Sequence, residues 1–313
     1  MPFVKPAFNN ALEAIGNTPL VQLQHVVPAG CGRVFLKLEW YNPTGSKKDR
    51  MALAMIEEAE KRGDLRPGME VVEFSGGSTG AGLAFVCGVK GYPFRLVTSN
   101  AFAQEKIDMM RALGAQLEVI ESPDGKISKE LVEAMIARAR EISEQTGAFW
   151  TDQLTNADVP EGFVALGDEI LAQLEGRVDA VCDAIGTSGT LIGMARAFER
   201  AGRQVRVIAL EPAESPILSA GHKGSHTVDG VGLGFVPAKY EPDRVDGVRA
   251  IPEAEARVMC RALARHEGIF CGTSSGMNAV GAIQLARELG PDSTVVAIAC
   301  DTGLKYLNSG LFD

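Results

Sequence analysis

Met69-Glu-Val-Val-Glu-Phe74, Ser75-Gly-Gly-Ser-Thr-Gly80 and Ala81-Gly-Leu-Ala-Phe-Val-Cys87 follow one another without a break. The first run is rich in β-branched and aromatic residues and predicts a strand, and the third is an apolar run that predicts a buried helix. The six residues between them are small and hydroxylated, the chemistry of a tight turn. Strand, glycine loop and helix make the front half of a βαβ unit. The same order recurs downstream: strand 94–98, helix 104–113, strand 116–120 and helix 129–144. A second series runs from a helix at about 162–174 through strand 180–185, the loop Gly186-Thr-Ser-Gly-Thr190, helix 191–199 and strand 205–210. It ends with helices 253–266 and 277–289 and strand 294–299. Upstream, 15–23 and 33–39 are short extended segments. Strands alternating with helices of ten or more residues predict parallel sheets.

At 313 residues the chain is long for one domain, which predicts two. The expected fold class is α/β: two domains, each a mostly parallel twisted sheet flanked by helices, with a hinge near 147–153. Hydrophobic residues make up 46%, aromatic residues 6%, and there are 35 glycines; this suits an enzyme with many glycine turns and carries no signal of disorder. The net charge of −9 with no basic run argues against nucleic-acid and anionic-membrane partners. No apolar stretch reaches the roughly 18 residues of a membrane span, and the opening MPFVKPAFNN lacks a signal-peptide core. The expected location is the cytoplasm. The six cysteines, at 31, 87, 182, 260, 271 and 300, form no Cys-x-x-Cys pair and lie mostly in apolar runs. Buried reduced thiols are expected. The four histidines make no metal-like grouping, His222 and His226 flanking a loop glycine.

Asn42-Pro-Thr-Gly-Ser-Lys-Lys-Asp-Arg50 runs straight into the helical pattern that begins at Met51. Pro43 and Gly45 make a turn, Ser46 is the expected N-cap, and Lys47 and Lys48 fall in the first turn. Ammonium groups there oppose the helix dipole at a cost of a few tenths to about 1 kcal/mol. The stretch alone leaves two readings open: a pair of surface lysines, or one lysine held as something other than a free ammonium, such as a Schiff base to a cofactor aldehyde.

Three glycine- and hydroxyl-rich loops stand at the strand-to-helix junctions. Gly186-Thr-Ser-Gly-Thr190 gathers backbone N–H donors at a helix N-terminus, where a phosphate is favoured. Ser75-Gly-Gly-Ser-Thr-Gly80 has the same form and suits a second anion such as a carboxylate. Gly272-Thr-Ser-Ser-Gly276 matches the nucleophile elbow G-x-S-x-G, yet no histidine follows it, so a hydrolase triad in that chain order fails. A dinucleotide site fails too, because glycines 77, 80 and 82 have the reverse spacing and no acidic residue closes strand 94–98.

Gly16-Asn-Thr-Pro-Leu20, the 42–50 stretch, Gly76–Gly80, Gly186–Thr190, Glu211-Pro212 with Ser215-Pro216, Gly230-Val-Gly-Leu-Gly-Phe235, Gly272–Gly276 and Asp301-Thr-Gly-Leu-Lys-Tyr306 occur in order along nearly the whole chain. Together they resemble the cysteine synthase family, which with cystathionine β-synthase belongs to the fold-type II, tryptophan synthase β-like, pyridoxal-phosphate enzymes. The resemblance implies pyridoxal 5'-phosphate as cofactor and a homodimer. It implies a larger domain of 1–40 plus 150–313 that binds the cofactor phosphate, and a smaller domain, 41–149, that carries the Schiff-base lysine. That lysine falls on Lys48, directly before Asp-Arg, and Lys47, at a position usually apolar, is then a bystander. The phosphate loop falls on Gly186, Thr187, Ser188, Gly189 and Thr190, and the serine opposite the pyridine nitrogen on Ser274. The substrate-carboxylate loop falls on Ser75, Gly76, Gly77 and Thr79, with Gln153 as a further contact.

A neutral hydroxyl at the ring nitrogen leaves the electron sink weak, which favours prompt loss of a β-leaving group over a long-lived carbanion. Lys48, once freed, is the natural base at Cα. The expected reaction is β-replacement on an O-activated serine such as O-acetylserine, with sulfide giving L-cysteine through an aminoacrylate. One departure touches the substrate: the family has Thr-Ser-Gly-Asn-Thr-Gly at the second loop, whereas Ser78 stands here for the Asn that meets the cofactor's phenolic oxygen, and Gly76 for a serine. The alternatives are a β-eliminating lyase, an ammonia-lyase or desulfhydrase, acting on another β-substituted amino acid, and a non-catalytic binding module. The sequence does not decide whether a serine acetyltransferase partner binds.

Overall fold

The elements form where the hydrophobic pattern asks for them. A computed structural model describes residues 7–313. In chain order come β1 (Leu20–Gln22), β2 (Arg33–Leu38), α1 (Lys48–Arg62), β3 (Val71–Phe74), α2 (Ser78–Lys90), β4 (Phe94–Ser99), α3 (Gln104–Ala112), β5 (Gln116–Ile120), α4 (Lys129–Thr146) and β6 (Phe149–Trp150). They are followed by α5 (Val164–Gln173), β7 (Ala180–Ala184), α6 (Gly189–Arg200), β8 (Arg206–Pro212), α7 (Ile217–Ala220), β9 (Gly247–Ile251), α8 (Glu253–Ala262), α9 (Thr273–Leu289) and β10 (Thr294–Ala299). The chain divides into two compact units. The smaller holds 48–151 with 42–44 and the described residues up to 17; the larger holds 18–41, 45–47 and 152–313.

The smaller unit is built on a four-stranded sheet in the order β5-β4-β3-β6, parallel throughout. All four residues of β3 are buried, as expected of a strand covered on both faces. Its one charged member, Glu73, accepts from the Phe74 amide at 2.9 Å and from the Thr151 hydroxyl at 2.6 Å, so the buried carboxylate is hydrogen-bonded. Met51, Met55, Ile56 and Ala59 line the buried face of α1 at helical spacing. This helix lies close against α2: a Cβ on Gly82 would stand 3.1 Å from the Lys48 carbonyl oxygen. Helix α4 starts as the sequence dictates, Ser128 accepting from the Leu131 amide at 3.1 Å, and ends on left-handed Gly147.

The larger unit has a six-stranded sheet in the order β1-β2-β10-β7-β8-β9. Only β1 is antiparallel to its neighbour. The central strands β10 and β7 are buried at every residue, and so is α9 from Thr273 to Ile283. Both sheets being mostly parallel with helices around them, the α/β expectation holds. Strand β9 was not expected from the sequence; it is an edge strand whose residues Gly247-Val-Arg-Ala-Ile251 are mostly half-exposed, so its apolar pattern is diluted. Ser46 is not the N-cap of α1. The helix starts at Lys48, and Ser46 pairs instead with Asp301 in an isolated bridge. The acid that suits the dipole is Asp49 in the first turn, whose carboxylate accepts from both the amide (2.7 Å) and the hydroxyl of Thr44. All six cysteines are free, five of them buried. No helix among the described residues is long and apolar enough to cross a membrane.

Candidate active site

In the larger unit, β7 delivers the chain to Gly186-Thr-Ser-Gly-Thr190. Gly189 and Thr190 are already the first residues of α6, so the turn between β7 and α6 is the four residues 185–188. Ser188 precedes the helix with φ at 63°, a left-handed conformation that costs a non-glycine residue about 1 kcal/mol or more. Its hydroxyl donates to the Thr187 carbonyl at 2.6 Å and caps nothing. Helix α6 therefore begins with no side-chain cap and no acidic residue in its first turn, leaving backbone donors and the positive end of the dipole for an anion. Two glycines hold this cradle in shape by packing. A Cβ at Gly186 would stand 2.2 Å from the Gly230 carbonyl oxygen, and one at Gly189 would stand 2.4 Å from Val159 Cγ1. Gly232 also donates its amide to the Ile185 carbonyl at 2.9 Å, so the Gly230–Phe235 motif braces the loop from behind. The donor set fits a phosphate monoester.

The third motif is a helix start. Thr273, Ser274, Ser275 and Gly276 form the first turn of α9, and Ser274 is buried. Gly272 before them is required by Tyr306, whose ring carbon a Cβ would meet at 2.4 Å. The Tyr306 hydroxyl donates to Asp301 at 2.8 Å. Ser275 accepts from the Cys300 amide at 2.8 Å, and Ser274 hydrogen-bonds the Cys300 thiol, which burial pushes up to about 11.

The two lysines part company. Lys47 is buried, its Nζ donating to Asp183 Oδ2 at 2.6 Å, while its amide donates to the Cys300 carbonyl at 2.9 Å. The second oxygen of Asp183 accepts from Asn278 Nδ2 at 2.7 Å. Asn278 is fixed in turn, donating to the Ile298 carbonyl and accepting from the Ala184 amide, each at 2.7 Å. Burial lowers the Lys47 pKa, but the Asp183 carboxylate and the Cys300 sulfur outweigh it and hold the ammonium above the ordinary lysine range. Lys47 is thus no surface residue. Lys48 is half-buried and is the first residue of α1.

In the smaller unit, β3 ends at the second loop. Buried Ser75 turns its hydroxyl inward, accepting from the amides of Gly77 and Gly80 at 3.1 Å each. Ser78 and buried Thr79 open α2, which has no cap from Gly77. Gly76 lies under Phe102: a Cβ there would stand 2.0 Å from Cδ1 and 2.2 Å from both Cε1 and Cγ. Gln153 belongs to the larger unit, in the turn after Asp152, whose φ is 41° and whose carbonyl accepts from Asn156 at 2.9 Å.

Within the larger unit the fold thus brings the Gly186–Thr190 cradle, Ser274 and Lys47 onto connected elements, and within the smaller it gathers Lys48 and the Ser75–Thr79 loop. Asp183, Asn278 and Phe102 escaped the sequence reading, which had Cys300 only as a buried thiol. An aspartate inside the apolar run AVCDAI was a visible signal, but its partner lies 136 residues away.

The family profile described as "Pyridoxal-phosphate dependent enzyme" matches residues 11–301. A cysteine synthase of Staphylococcus aureus is 38% identical over 306 residues, covering 97% of each chain. Among solved structures, isoform 3 of O-acetyl serine sulfhydrylase from Entamoeba histolytica superposes with a TM-score of 0.93 at 35% identity, over 100% of this chain and 93% of that one. A hydrogen sulfide-producing enzyme from Fusobacterium nucleatum gives 0.90 at 32% identity, over 98% and 100%. The cradle at α6, the lysine heading α1 and likeness along the whole chain agree: this chain belongs to the pyridoxal-phosphate-dependent enzymes, on the cysteine synthase branch.

Proposed function

We propose that the protein makes L-cysteine by β-replacement, taking an O-activated serine such as O-acetylserine and sulfide as substrates. The observation that carries this is the uncapped start of α6, with its packed glycines and left-handed Ser188, a ready cradle for the cofactor phosphate. When bound, pyridoxal phosphate supplies an aldehyde for the amino group and a ring that accepts electrons from Cα. Gly186, Thr187, Ser188, Gly189 and Thr190 hold the phosphate. Ser274 would offer the ring nitrogen a neutral hydroxyl, and Ser78 would be the donor toward the phenolic oxygen. Lys48 would be the residue that bonds the cofactor aldehyde, and its freed amine would serve as the base at Cα of the substrate. Ser75, Gly76, Gly77 and Thr79, with Gln153, bind the substrate carboxylate. The reading extends to a homodimer in the cytoplasm, which sedimentation and fractionation test.

The Gly76–Phe102 contact supports a second reading, β-elimination from a different β-substituted amino acid, in which an aromatic ring replaces a hydroxyl beside the carboxylate loop. The purified holoenzyme, given O-acetylserine with and without sulfide, separates the two. Cysteine that requires both substrates supports β-replacement. Pyruvate and ammonia formed at the same rate without sulfide overturn it.

A further inference from the structure

Two adjacent lysines of equal length raise a question of choice. Resting on the reading of Lys48 above, we propose that Asp183 decides which lysine bonds the cofactor aldehyde, by holding Lys47 in a buried ion pair so that only Lys48 reacts. Asp183 is a positioning residue, acting through Lys47.

A lysine bonds an aldehyde only as the neutral amine. Its nitrogen forms the C=N bond to the aldehyde carbon, and its two protons leave with the aldehyde oxygen as water. Lys47 does not meet that condition. Its Nζ is committed to Asp183 Oδ2 at 2.6 Å, with 5% of the residue exposed and 2% of Asp183. Giving up that proton would strand the carboxylate as a buried, uncompensated charge, a state that proteins avoid. The pair cannot swing away as a unit either. Asn278 pins the other carboxylate oxygen at 2.7 Å and is itself held by Ile298 and Ala184, while the Lys47 amide is tied to Cys300 at 2.9 Å. Lys48, by contrast, heads α1, where the dipole disfavours a resident ammonium. An apolar residue at 47 would need no such restraint; a lysine there does.

The test is borohydride trapping of the full-length protein loaded with pyridoxal phosphate, followed by peptide mass mapping. Wild type is expected to carry the reduced cofactor on Lys48 and none on Lys47. The Lys48→Ala variant, with the ion pair intact, should leave Lys47 unlabelled. In Lys48→Ala/Asp183→Asn, labelling of Lys47 should rise at least about tenfold, the change in neutral amine that one pKa unit gives, and Asp183→Glu in place of Asp183→Asn should suppress it again. Labelling of Lys47 in Lys48→Ala equal to that in the double variant overturns the proposal. So does an unlabelled Lys47 in a folded double variant. If the Asp183→Asn chains do not fold, Lys48→Ala alone decides, label on Lys47 overturning the proposal and its absence supporting it. Wild type labelled on neither lysine overturns the reading of Lys48 itself, a result distinct from the others.

Discussion

Replacing Gly76 with serine restores the family's residue and should damage this protein. The new Cβ would lie 2.0 Å from Phe102 Cδ1 and 2.2 Å from Cε1 and Cγ, against the 3.5–4.0 Å or so of an ordinary carbon contact. Either the ring stays and the loop strains, which costs about 1–3 kcal/mol for overpacking, or the ring rotates out. Phe102 is half-buried, so rotation forfeits roughly half of the 1.5–3 kcal/mol that full burial of a phenylalanine gives. By both routes Gly76→Ser destabilises the smaller unit by about 1–2 kcal/mol. Phe102→Ala removes the obstacle, so in the double variant the serine should cost close to nothing, a coupling of about 1 kcal/mol or more. Trp150 lies in the smaller unit and Trp40 in the larger. Urea unfolding followed by Trp150 fluorescence in a Trp40→Phe background therefore reads the right unit. A Gly76→Ser midpoint equal to wild type, or strict additivity in the double variant, would show that Phe102 does not occupy the position of the missing side chain.

Lys48→Ala should abolish the visible band of the lysine-bound cofactor and lower turnover by about two to four orders of magnitude, the range of a lost general base, as absorbance and a cysteine assay will show. Gly186→Ala drives a Cβ to 2.2 Å from the Gly230 carbonyl oxygen, which as backbone cannot rotate away. A loss of about 1–3 kcal/mol shared between stability and cofactor affinity is expected, measurable by fluorescence titration with pyridoxal phosphate. Glu267 anchors the segment after β1. Burial raises its pKa, but the amides of His25, Gln24 and Val26, bound at 2.6–3.1 Å, outweigh burial and hold it below the ordinary 4.5. A depressed carboxyl pKa contributes stability above the unfolded value that disappears as pH falls through the folded one. Glu267→Gln should accordingly be the less stable at neutral pH, and the gap should close below about pH 4.5 in acid-unfolding curves.

The alternation of strands and helices was legible because each element carries its own period. β3, α2, β4, α4, β7 and α6 lie within a few residues of where the apolar runs put them, and the cysteines lie where their apolar neighbours implied. The lysine at the start of α1 and the glycine loops were equally legible, since helix starts and tight turns are written in consecutive residues. Strand β9 was not: an edge strand with a glycine and an arginine has too little apolar contrast to announce itself. Ser46 misled for a related reason. A serine before a helix has the chemistry of a cap, but pairing with Asp301 some 250 residues on took the position from it.

The sequence by itself determined the α/β class, the order of the elements and the glycine-rich loops that open α2, α6 and α9, because these follow from local pattern and from motifs held in contiguous runs. Only the tertiary structure decided that Lys47 is sealed against Asp183, that Asn278 braces that pair, and that Phe102 fills the space at Gly76. Each of those joins residues far apart in the chain, and burial, which sets the strength of an ion pair and the cost of a methyl group alike, exists only once the chain has folded.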